Sequence, residues 1–180
     1  MHADGTEDFE LTMDELRIVA RYAAESAQEV LSLFEDAAAE DPRPRAAVEA
    51  AWVFANGAAR TRLQRVTSIA AHRAATDVAD EAAKHAACAA GDAAAAAYLH
   101  PLAKATQVGH ILRAAASAAC AAEMSAGDDP AVGSALIEQA RRRASPVLVD
   151  VLSRYPLAPV GESRVAHLMK TLDTSLRTHR

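Results

Sequence analysis

Aromatic residues are scarce. Phe, Trp and Tyr together make up 4% of the 180 residues, with a single Trp. Aromatic side chains bury the largest areas, so a core without them must be filled by many smaller groups. Lysine is equally sparse, three residues against sixteen arginines. No apolar run approaches the ~18 residues that read as a membrane-spanning helix, and no membrane partner is expected. The opening MHADGTEDFE is acidic and polar, unlike a secretory signal, so the expected setting is the cytoplasm. The two cysteines, Cys88 and Cys120, lie far apart and are expected there as free thiols. Four catalytic patterns are missing: the P-loop, HExxH, CxxC and GxSxG. P-loop nucleotide hydrolysis and standard zinc or serine hydrolysis thus lose their support, and no cofactor is called for. No stretch alternates β-branched residues every second position, which excludes an expected sheet.

What is abundant is alanine, 47 of the 180 residues, densest between Ala82 and Ala126. Alanine is the strongest helix former but buries little area, so helices rich in it gain contact only by approaching closely. Charge is unevenly spread. Residues 1–41 carry a net −10, residues 42–140 balance, and residues 141–180 carry +5. The acidic first helix is therefore either a docking surface for a basic partner or the internal partner of the basic C-terminal segment.

Local signals outline an all-α bundle of six to eight helices in one domain over residues 12–180, behind a flexible acidic segment at 1–11. Stacked helical hairpins are the alternative arrangement. Thr12-Met-Asp-Glu15 reads as a capping box, with Leu11 and Leu16 at the staple positions. Asp41-Pro42, Asp129-Pro130 and Ser145-Pro146 read as helix starts, and Asn56-Gly57 and Gly127 as stops. One long helix is expected from about Arg60 to Ala90, closed by Gly91, with Asp92 capping the next and His100-Pro101 interrupting that one.

Three clusters carry chemistry. On the expected long helix, Leu63, Val66, Ala70, Ala74 and Val78 share a face that continues through Glu81, His85 and Cys88. The last three are candidate metal ligands, or a hydrogen-bonded polar cluster of the core. Glu81, His85, His100, Lys104, His110 and Arg113 are candidates for a polar cleft that would take an anion or small ligand, or for helix–helix hydrogen bonding. Arg45, Glu49, Trp52 and Asn56 share a face of the second helix, with Arg45–Glu49 as the expected ion pair. That face is either a partner-binding surface, where Trp and Arg are enriched, or a structural salt bridge beneath a half-buried Trp. The run Arg141-Arg142-Arg143 is too short for a nucleic-acid surface, and the chain is acidic overall.

Several segments together carry a family likeness: Arg-Pro-Arg45 leading to Glu49-Ala-Ala-Trp52, Ala71-His72-Arg73, His85 to Gly91-Asp92, and His100-Pro101. In these the chain resembles the immunity proteins of bacterial polymorphic-toxin systems. Phe9 to Leu16, Tyr155-Pro156 and Met169 to Leu176 are similar to an actinobacterial subgroup. The resemblance implies an all-helical, cytoplasmic, non-catalytic protein that binds and neutralises a toxin protein. Some subgroup members carry the label of an SMC-type exonuclease subunit. This chain has neither the P-loop nor the long heptad coiled coil which that role requires. Other readings from the residues are a small-ligand- or metal-binding protein or unusual enzyme of specialised metabolism, centred on His85 and His110, and a helical homo-oligomer.

Overall fold

The computed structural model describes residues 9–179. Eight α-helices occur among them: α1 (Met13–Ala37), α2 (Arg43–Ala55), α3 (Arg62–Asp77), α4 (Glu81–Ala95), α5 (Val108–Ser125), α6 (Pro130–Arg143), α7 (Pro146–Ser153) and α8 (Arg164–Thr178). Two single 3-10 turns, Ala96–Tyr98 and Ala105–Gln107, fill the passage from α4 to α5. No β-strand occurs among the described residues, and the fold is an all-α helical bundle. Most of the acidic segment expected to be free lies outside the described residues. Of its end, Phe9 meets Tyr155 edge-on at 4.9 Å and Leu11 is half-buried against the core.

The starts follow from side chains that satisfy orphan N–H groups. Thr12 and Glu15 form the expected capping box, with Thr12 N–H donating to Glu15 Oε2 at 2.8 Å. Asp129, Ser145 and Ser163 cap α6, α7 and α8 in the same way. At Asp41-Pro42 the helix begins one residue later than read. Pro42 is the N-cap, while Asp41 Oδ1 still accepts the Arg43 N–H at 3.1 Å.

The helix expected across 60–90 is two helices. Thr61 and Gln64 form a second capping box that opens α3. Val78 is extended, at φ −93° and ψ 140°. Asp80 then caps α4 by accepting the Ala83 N–H at 2.7 Å. Gly91 and Asp92 neither close nor open a helix; both are buried inside α4.

α4 is the centre of the bundle, packed by α1, α2, α3 and α5. Every buried residue along it is Ala or Gly except Asp92. Small side chains bring helix axes toward the short end of the usual ~8–10 Å range, which is how alanine gains dispersion contacts. Around this centre α1 supplies Val19, Leu31 and Phe34, α2 supplies Phe54, and α5 supplies Ile111 and Leu112. α7 and α8 close the other side of the bundle with Leu148, Val151, Leu152 and Leu172, all fully buried.

The charge asymmetry resolves inside the molecule. Arg143 of α6 pairs with Glu25 at 3.0 Å and Glu29 at 2.8 Å, and Arg154 pairs with Glu15 at 2.5 Å. The acidic first helix is thus clamped by the basic C-terminal segment. Because Leu172 is fully buried, Leu172→Ala should lower the unfolding free energy by about 2–5 kcal/mol, read by urea denaturation.

Candidate functional site

The α1–α2 cleft, about 380 Å³, is lined by Arg45, Glu49 and Trp52 together with Gln28, Leu31, Ser32, Glu35 and Val48. The expected Arg45–Glu49 pair is replaced. Arg45 reaches across to α1 and makes a bidentate bond to Glu35, Nε–Oε1 2.5 Å and Nη2–Oε2 2.8 Å. A fork of two parallel bonds outcompetes the neighbour one turn along the same helix. Trp52 donates from Nε1 to Gln28 Oε1 at 2.7 Å, and the Arg21 guanidinium lies over its ring at 5.2 Å. Arg21 also donates to Asn56 Oδ1 at 2.8 Å. These α2 side chains stitch α1 to α2 while Arg45, Glu49 and Asn56 remain exposed.

The polar-cleft candidates divide into two groups. Glu81 opens α4 and lines a cleft of about 750 Å³ together with Asp36, Asp80, Asp128, Leu33, Ala82 and Met124. Its carboxylate pairs with Lys84. His100, His110 and Arg113 gather at the far end of α4, where the chain passes into α5. Glu81 and Asp92 are separated by about 16 Å along the axis, eleven residues at the helical rise. His100 donates its N–H to Gln107 and accepts the Tyr155 hydroxyl on its carbonyl at 2.8 Å. His110 is half-buried, and burial, then Arg113, holds its pKa below the ordinary value. His85 is half-buried one turn after Glu81, with its pKa likewise lowered by burial. Lys104 is exposed at the entry to the second 3-10 turn.

Glu81, His85 and Cys88 follow one face of α4, yet no group of three or more His, Cys, Asp or Glu among the described residues could hold a metal ion. Cys88 instead stands beside His72, a residue of α3 that the site reading from sequence passed over. His72 Nε2 lies 3.4 Å from Asp92 Oδ1. The buried Asp92 carboxylate, then the Cys88 thiol, raises the His72 pKa from 6.5 to about 10. The ring fits because residue 91 is Gly: a Cβ there would stand 2.6 Å from His72 Cδ2. Asp92 Oδ2 has no protein partner. His110 of α5 feels the same carboxylate, so Asp92 acts on α3 and α5 from the middle of α4. A glycine with helix formers on both sides was the available signal, since it marks a close approach as readily as a stop.

α3 shows its unexpected side. Its buried face is Gln64, Ser68, Ala71, Ala74 and Ala75. Of the face that Leu63, Val66, Ala70, Ala74 and Val78 share, Ala74 is fully buried while Leu63 is 46% and Val66 54% exposed, with Ile69 beside them at 48%. Gln64 donates from Nε2 to the Ala50 carbonyl at 3.1 Å, and Arg43 donates to Asp77 at 2.8 Å. These two bonds fix α2 and α3 as an antiparallel hairpin.

A single-domain helical bundle with a packed, alanine-lined centre and an exposed hairpin face is a protein built around its surfaces. The profile of one family matches residues 10–144, described as Imm-5 like putative immunity protein, and the chain belongs to that family. The match ends at Ala144, the residue that caps the end of α6. No curated protein matches the chain, and no solved structure does.

Two outcomes test the His72–Asp92 pair. The His72 pKa is raised in the folded state, so its stabilisation is complete below pH ~6.5 and disappears as pH rises through about 10. His72→Gln should flatten that alkaline decline, read as melting temperature against pH. Gly91→Ala should push the ring off Asp92 and bring the His72 titration, followed by NMR, down toward its ordinary value.

Proposed function

We propose that this chain is the immunity protein of a bacterial polymorphic-toxin system, acting in the cytoplasm by binding a toxin protein and blocking it. The observation that carries the reading is the family match, which covers six of the eight helices. The geometry supports it in a specific way. Several polar side chains that are buried or half-buried pair across helices: His72 with Asp92, Arg143 with Glu25 and Glu29, Glu123 with Arg164. Four of the eight exposed large hydrophobic side chains among the described residues lie on the α2–α3 hairpin, Val53 at 47% on α2 and Leu63, Val66 and Ile69 on α3. Exposed apolar surface rimmed by polar groups is the mark of a protein-binding site. The Arg45–Glu49–Trp52–Asn56 face forms the α1-side flank of that hairpin.

The toxin domain encoded beside this chain, purified separately, should form a complex with it at micromolar concentration or tighter. The complex should abolish toxicity when the two are co-expressed. Isothermal titration and a growth assay read the two results. No complex at micromolar concentration overturns the reading.

A further inference from the structure

We infer that the outer stripe of α3 is the toxin-docking element, and that the toxin meets it with an apolar groove rimmed by carboxylates. This rests on the immunity reading above. Arg62, Val66, Ile69 and Arg73 are spaced four, three and four residues apart, which places them on one line along the helix. That line lies opposite the buried face of Gln64, Ala71 and Ala75. α3 packs on α2 and α4 and leaves this side uncovered. A helix presenting anchors at these spacings is the geometry used by helices that lie in a hydrophobic groove.

The charge of the stripe selects the occupant. Nine of the arginines of the described residues are engaged with carboxylates; of the six that make no ion pair there, three, Arg62, Arg65 and Arg73, lie on α3, Arg65 with its guanidinium over the Tyr98 ring at 4.9 Å. Asp77, the one acid on α3, is held by Arg43. In a chain of net charge −5, three uncompensated guanidinium groups around an aliphatic strip are complementary to acidic groups on a partner. Nucleic acid fits this surface less well. Its affinity grows with the number of phosphate contacts, and aliphatic side chains at the centre of the strip give bases nothing to stack on.

The experiment compares wild type with Val66→Asp, with Arg62→Glu/Arg73→Glu and with Trp52→Ala, each checked for unchanged helicity and melting temperature. The probe is the purified toxin domain encoded beside the chain. Val66→Asp should weaken binding at least about 30-fold, as loss of a central anchor does. The double charge reversal should slow association at least about 10-fold at low salt and flatten its salt dependence. Any variant that fails to fold is replaced by Ile69→Ser, for which at least a 10-fold loss is expected. If wild type binds no toxin, the immunity reading itself falls. If wild type binds and all α3 variants bind as tightly while Trp52→Ala does not, the α3 assignment alone falls. It falls equally if the charge reversal abolishes binding of a random-sequence DNA duplex, or abolishes self-association seen by light scattering, while leaving toxin binding intact.

Discussion

The fold depends on burying a helix whose buried residues are almost all alanine. α4 offers its neighbours little area per residue, so α1, α2, α3 and α5 must all come close to gain contact. Close approach then dictates the rest. Large side chains come from the helices around α4 and beyond it, as the fully buried Phe34, Ile111 and Leu172 show. The outer layer is held by bidentate and multi-partner arginines, Arg154 between Glu15 and Asp150, and Arg164 on Glu123. Pairs of this geometry contribute more than a typical surface ion pair, and they bridge elements far apart in the chain.

Asp92 is the exception inside that alanine layer. A buried carboxylate is costly unless it meets a charge or a hydrogen-bond donor. His72 supplies the charge, and Gly91 supplies the space for the ring. The imidazolium form of His72 is therefore an integral part of the α3–α4 contact at neutral pH, with its pKa raised to about 10. The His72–Asp92 contact ties α3 to α4.

Much of the architecture was legible in the residues. Thr12 with Glu15, Asp129 before Pro130 and Ser145 before Pro146 each announced a helix start that the structure contains. The merging of α3 and α4 had a physical cause. Alanine on both sides of Val78-Ala79-Asp80 keeps the helical signal running, so only the cap at Asp80 betrays the break. The outward position of the aliphatic residues of α3 has a related cause. Periodicity assumes that the largest apolar side chains go inward, but against an alanine helix the space admits only Ser68, Ala71, Ala74 and Ala75 with one hydrogen-bonded Gln64. Leu63, Val66 and Ile69 are left outside. The Arg45–Glu35 pair was beyond the reach of a linear reading because Glu35 sits on another helix.

The two sides of α3 share a backbone but no neighbours. Substitutions on sites without shared contacts act nearly independently on stability. The outward positions can accordingly be rewritten, residue by residue, without disturbing the inward ones. α3 also buries the least aliphatic bulk of the four helices around α4. An outward helix face with these properties can change its side chains quickly over evolutionary time, while the alanine centre keeps the same frame beneath it.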